Sequence, residues 1–202
     1  MPIIPRYYEM LQGDPGYPPS LIREFGPAAA PGLQTRGNLA LICRDAMAIV
    51  CSARCPGALI LRAYDLAGKL RLQDRVIVGG FHSPMERQCL ELLITGRSPI
   101  IVCPGRSIKF MRIPVSWKPS IVEGRMLLVS RNDLGHRRLT ERLAHRRNKF
   151  VAALAAETFI PFAAPGGKTE DLAREILAGG KKVLTFNGPQ NANLLRMGAV
   201  PL

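Results

Sequence analysis

No apolar run in this 202-residue chain approaches the roughly 20 residues that a membrane-spanning helix needs. The opening MPIIPRYYEM lacks the apolar core of a secretory signal. Both absences predict a cytoplasmic protein with no membrane partner. Aromatic residues are scarce, at 6% of the chain, so a stacking platform for bases would have few members. Acids are outnumbered, with 15 Asp and Glu against 28 Lys and Arg and a net charge of +13. That imbalance points to a polyanionic partner. Cysteine occurs five times (Cys43, Cys51, Cys55, Cys89 and Cys103) without a CxxC pair, and no histidine pair sits at zinc-ligand spacing. An odd count, mostly inside apolar segments, argues against a disulfide framework; buried thiols and no metal are expected. Hydrophobic residues make up 47%, enough for the core of one domain.

Residues 1–38 are rich in proline and glycine and predict an extended wrapping segment with one helical turn near Leu21 to Phe25. From Leu39 the texture changes. Apolar runs at Ala46 to Cys51, Arg75 to Val78, Pro99 to Cys103, Arg125 to Ser130, Thr158 to Ala164 and Lys182 to Phe186 read as strands. Between them, helices are predicted at Gly57 to Leu72, Pro84 to Thr95, Arg138 to Ala156, Thr169 to Ala178 and Pro189 to Met197. Unbroken apolar strands alternating with helices predict a doubly wound α/β domain over residues 39–202, its mostly parallel sheet covered by helices on both faces. Residues 108–122, with two prolines and a tryptophan, read as a loop with a short helix.

In such a sheet, ligands bind beyond the C-terminal strand ends. The segments leaving those ends hold Ser52 and Arg54, Gly79, Gly80 and Ser83, Arg106, and the turn Pro165-Gly166-Gly167-Lys168-Thr169. Small residues admit a backbone close to a ligand, and guanidinium groups pair with phosphate oxygens. Free N–H groups at the helix start after Gly167 would make an anion site, with Lys168 as a point charge. Leu143, Arg147, Phe150, Val151 and Leu154 share one helix face, so Arg147 falls on an apolar stripe where an arginine rarely lies without a partner. Arg138, Arg142, Arg146 and Lys149 line another side, and Arg138 and Arg142 would extend an electrostatic path for a phosphate backbone. Ser83, Pro84 and Glu86 have capping-box spacing. A P-loop is not expected, because Phe162 stands where its first glycine belongs, and the first strand runs into CSARCPG without a dinucleotide fingerprint.

In order and spacing, four stretches resemble the Rossmann-like core of the DNA-processing protein A (DprA/Smf) family. They are GYPPSLIREFGPAAAPGLQTRGNLAL, AMAIVCSARCPG, VIVGGFHSPMERQCLELL and HRRNKFVAALAAETFIPFAAPGGKTEDLAREILAGGKKVLTF. The wider superfamily includes the Lonely-guy phosphoribohydrolases. The resemblance implies a homodimer that binds single-stranded DNA and helps load a RecA-type recombinase during DNA uptake or recombination. Ser52 matches the family's first turn, Arg147 and Asn148 its Arg-Asn helix, and Gly166, Gly167 and Thr169 its Gly-rich turn. The chain departs at Ala53, where the turn's arginine is displaced to Arg54, and at His82-Ser83-Pro84. With Leu202 the last residue, the winged-helix domain common in the family is not expected here. The phosphoribohydrolase branch places a glutamate where Leu172 stands, with Glu170 two residues early. The expected activity is therefore binding, with no catalytic residue and no cofactor. A phosphoribohydrolase of nucleoside monophosphates and a sensor of a nucleotide signal are the alternatives.

Overall fold

Every apolar run predicted as a strand contributes one to a single sheet of the computed structural model, which describes residues 7–131 and 141–202. In chain order the elements begin with strand β1 (Tyr8–Met10), helix α1 (Pro19–Phe25) and β2 (Leu33–Gly37). There follow β3 (Ala46–Ile49), α2 (Gly57–Leu70), β4 (Val76–Gly79), α3 (Pro84–Leu93), β5 (Ile100–Val102), α4 (Lys118–Val122) and β6 (Met126–Arg131). The last elements are α5 (Glu141–Leu154), β7 (Glu157–Phe159), α6 (Lys168–Ala178), β8 (Lys182–Thr185), α7 (Ala192–Arg196) and β9 (Val200–Pro201). The strand order is β1-β2-β6-β5-β4-β3-β7-β8-β9, parallel from β6 through β9 and antiparallel at β1 and β2.

Side-chain alternation along β3 shows how the sheet divides two cores. Ala46 and Ala48 face one way, with Leu21 of α1, Phe150 and Val151 of α5, Leu172 of α6 and Leu194 of α7. Met47 and Ile49 face the other, with Leu59 and Ala63 of α2, Met85 and Leu93 of α3 and Ile121 of α4. Helices thus cover both faces, as strands buried on both sides require. No helix among the described residues is long and apolar enough to cross a membrane.

Three strands were not anticipated: β1, β2 and the two-residue β9. β2 reads LQTRG, with no apolar run, because its polar groups find partners inside the protein. The Oε1 atom of buried Gln34 accepts the Ser107 hydroxyl and the Ile108 N–H, both at 2.9 Å. β1 then adds to β2. β7 is shorter than predicted. After Phe159 the chain leaves the sheet at Pro161, and Ile160 and Ala163 are buried in the loop. The predicted helix from Arg138 is described from Glu141 onward; Arg138 lies outside the described residues.

Candidate functional site

β3 has β4 on one side and β7 on the other, and the chain winds away from it in both directions. Loops leaving β3, β4 and β7 therefore diverge at this point, which opens a crevice at the C-terminal rim. What fills it is set by side chains that tie these loops together.

Glu86 is the first tie. It stands in the opening turn of α3, 2% exposed, and its Oε1 accepts the Cys51 N–H from the β3 loop at 2.9 Å. Oε2 accepts the His82 N–H at 2.8 Å and the Ser83 N–H at 3.4 Å. The Ser83 hydroxyl accepts the Glu86 N–H at 3.2 Å, which completes the predicted capping box. A capping glutamate thus also joins two strand ends, a role its spacing alone did not reveal. Ser52 is the second tie. Its Oγ accepts the Ala164 N–H at 3.0 Å, and its own N–H donates to the Phe162 carbonyl at 3.1 Å, so the β3 and β7 loops are joined by two bonds.

Arg147 lies on the buried face of α5, as its spacing predicted, and is 4% exposed. Its side chain runs across Gly80. A Cβ on Gly80 would stand 2.3 Å from Arg147 Cζ and Nε and 2.5 Å from Cδ. Only a residue without a side chain admits this crossing. Arg147 Nε donates to Asn148 Oδ1 at 2.9 Å, so the Arg-Asn pair fixes its own geometry. Nη1 is buried and has no hydrogen-bond partner among the described residues. Burial lowers the Arg147 pKa, and the Glu86 carboxylate opposes that effect. Burial also lowers the His82 pKa, with the Arg147 charge adding to it. Beside them Phe81 holds a left-handed φ of 48°, and its ring packs over Gly79. A bulky residue in that region is strained, and such strain concentrates at functional sites.

The Gly-rich turn is internally satisfied to a degree the sequence did not disclose. Gly166 takes the left-handed conformation, φ 67°, and its N–H donates to Glu170 Oε2 at 2.7 Å. Gly167 N–H donates to the Ala164 carbonyl at 3.0 Å. Asn193 Nδ2 donates to Glu170 Oε1 at 2.7 Å. That bond and the one from Gly166 hold the Glu170 carboxyl below the ordinary glutamate pKa. Leu172, at the position of the branch glutamate, is buried in the core. Thr169 is buried in the first turn of α6.

A cavity of about 420 Å³ opens beyond β4 and β5, lined by Gly80, His82, Arg106, Arg112 and Trp117 among others. It brings predicted Gly80 and Arg106 together. Arg112 and Trp117 were missed, since they belong to the loop of residues 108–122, although its basic residues and lone tryptophan were the available signal. A second cavity, about 640 Å³, lies between α5 and α6 and joins predicted Arg142 and Lys168 with His145, Arg174 and the acids Asp171 and Glu175. Lys149, predicted on the same basic side, pairs with Glu175 at 2.8 Å. Arg54 is exposed at the bend of the β3 loop. Among the described residues, no group of three or more His, Cys, Asp or Glu side chains could hold a metal ion.

A family model described as DNA recombination-mediator protein A matches residues 9–198. The solved structure of DNA processing protein A from Streptococcus pneumoniae is similar with a TM-score of 0.78 at 18% identity, over 97% of this chain and 71% of that one. DNA processing protein A from Helicobacter pylori, solved to describe its single-stranded DNA binding mode, gives 0.73 at 20% identity, over 96% and 90%. These likenesses establish the fold. No curated protein sequence matches.

Proposed function

The chain belongs to the DNA recombination-mediator protein A family, and from that premise we propose that it binds single-stranded DNA along the C-terminal rim of the sheet. The observation that carries the reading is Arg147, whose buried guanidinium crosses Gly80 and keeps an unused Nη1 donor. A buried donor without a partner costs about 1–3 kcal/mol, and a phosphate oxygen supplies the missing acceptor. Arg106 and Arg112 stand at the adjoining cavity with Trp117, whose indole offers a face to a base. Arg54, Arg142 and Lys168 extend the positive surface toward the β3 loop and the α5–α6 side. The ties made by Ser52, Ser83, Asn148, Gly166 and Gly167 shape the rim and fix the arginines, and Thr169 is buried beside them in the first turn of α6.

The rim positions phosphates; it performs no bond-breaking step in this reading. Glu170 stands two residues before the branch-enzyme position, and its two oxygens accept from Gly166 and Asn193. That use is structural. We further propose that the protein assembles as a homodimer and passes the strand to a RecA-type recombinase, within the cytoplasm. The test is a binding isotherm with a labelled oligonucleotide and with mononucleotides at two salt concentrations. Oligonucleotide affinity is expected to fall with log salt by about 0.7 per phosphate contact. Tight mononucleotide binding with a flat salt response would replace this reading with a nucleotide sensor, and base release from a nucleoside monophosphate would replace it with the hydrolase.

A further inference from the structure

The loop between β5 and α4 presents an aromatic ring that none of the contacts described so far uses. Phe110 is 91% exposed, more than any other large apolar side chain among the described residues. It stands at the corner of a turn closed by the Met111 N–H, which donates to the Ile108 carbonyl at 3.1 Å. The turn is held from below. Ile108 before it and Ile113 after it are buried. Gln34 Oε1 accepts the Ser107 hydroxyl and the Ile108 N–H, and the Ser130 hydroxyl donates to the Arg106 carbonyl at 2.7 Å. We propose that Phe110 is a base-stacking post, on which an unpaired nucleobase of the bound strand rests its face, and that it gives the rim a preference for single strands over duplex.

Residue type and charge select this partner. The fold gains nothing from a phenylalanine at a turn corner, where glycine, proline, asparagine, aspartate and serine are favoured. A ring held in water forfeits the free energy of its burial. The charge around it is of one sign. No Asp or Glu occurs between Glu91 and Glu123, whereas Arg106, Lys109, Arg112 and Lys118 fall in that interval. An apolar ring set among cations fits a partner that is both anionic and planar, and a nucleotide chain is both. Lys109 Nζ lies over the ring, 5.8 Å from its centroid. One face thus carries a cation and the other is left for a base.

The position also continues the rim. Met111, Arg112 and Trp117 follow Phe110 in the same loop and line the cavity beyond β4 and β5 with Gly80 and Arg106. A strand whose phosphates reach Arg147 and the cavity arginines would carry its next bases over the turn. In a duplex the bases are stacked on one another, and their faces are closed to a side chain reaching in from outside. The inference rests on the proposed DNA-binding role and adds to it a source of strand selectivity.

The experiment compares the wild-type chain with Phe110→Ala, Phe110→Leu and Phe110→Tyr. Each is titrated with a labelled single-stranded oligonucleotide and with a duplex of the same length, at several salt concentrations. Phe110→Ala and Phe110→Leu are expected to lose single-strand affinity by roughly 5- to 150-fold, as for one base–aromatic stack, and Phe110→Tyr to keep it. The salt slope should not change, because no phosphate contact is lost, and duplex affinity should not change either. The ring is in water, so melting temperatures should agree across the four proteins. Wild-type affinity in Phe110→Ala or in Phe110→Leu would overturn the stacking role while the DNA reading stands. An equal loss on duplex would overturn the strand selectivity. Loss of self-association in Phe110→Ala, read by sedimentation, would assign the ring to a contact between copies of this chain and overturn the proposal. Absence of oligonucleotide binding in the wild-type protein would reject the DNA reading and this one with it.

Discussion

Gly80→Ala is the sharpest perturbation of the rim. A methyl group there would meet Arg147 at 2.3 Å from Cζ and Nε and 2.5 Å from Cδ. These are guanidinium atoms and the adjoining stem carbon of a side chain pinned by Asn148, so the guanidinium must leave its track. Gly80 does not occupy the left-handed region, so alanine brings no backbone strain of its own. Overpacking of this kind costs about 1–3 kcal/mol of stability. A charged hydrogen bond to phosphate is worth about 1.5–3 kcal/mol, which is roughly a 10- to 150-fold loss of affinity. A thermal melt reads the first effect, and fluorescence anisotropy with a labelled oligonucleotide, repeated at several salt concentrations, reads the second. The slope of log affinity against log salt should shrink by about 0.7 for one lost contact. Arg147→Met supplies the control, because removing the displaced side chain first should make the added Gly80→Ala change nearly silent for binding. Wild-type affinity and slope in Gly80→Ala, or strictly additive losses in the double variant, would refute the argument that Arg147 acts through its crossing of Gly80.

Glu170→Gln should destabilise the protein at neutral pH. The folded carboxyl titrates below its unfolded value of about 4.3, so its contribution is present above that pH and lost as pH falls through the lower folded value. Thermal melts across that window should converge for the two proteins, and an equal gap at every pH would count against the Gly166 and Asn193 bonds as its source. Ser52→Ala leaves the Ala164 N–H without its acceptor and should cost about 1 kcal/mol in a denaturant titration; an unchanged midpoint would show that the β3 and β7 loops are held otherwise. Arg106→Ala and Arg112→Ala should each reduce the salt slope by about 0.7 with little change in melting temperature, and an unaltered slope would remove the cavity beside Trp117 from the DNA path.

The parallel core was legible because burial on both faces leaves its strands as unbroken apolar runs. Ala46 to Cys51 and Arg125 to Ser130 could be nothing else at their length. β2 was illegible for the opposite reason. Gln34 and Thr35 are buried, but their polar groups are answered by Ser107, Ile108 and the Tyr8 carbonyl, partners that only the folded chain brings near. Arg147 announced itself through helical spacing. Its contact with Gly80 did not, since the two lie 67 positions apart in the sequence and no local pattern encodes a crossing between α5 and the end of β4. Trp117 and Arg112 were hidden by a proline-broken loop that has no period to read.

Glu86 and Glu170 occupy the same place in two different helices, the third residue of the first turn, and both turn their carboxylates back on the preceding loop. The positive end of each helix is thus already met by an internal anion. A phosphate site of the P-loop kind needs those amides open, and here the Gly166, His82 and Ser83 N–H groups are engaged. An incoming phosphate therefore meets guanidinium groups before backbone amides. Arginines spaced along a rim suit a chain of phosphates better than one compact nucleotide, because each contact is separate and tolerant of what base it carries. The two glutamates that close these turns thus favour an extended strand as the ligand of the proposed site.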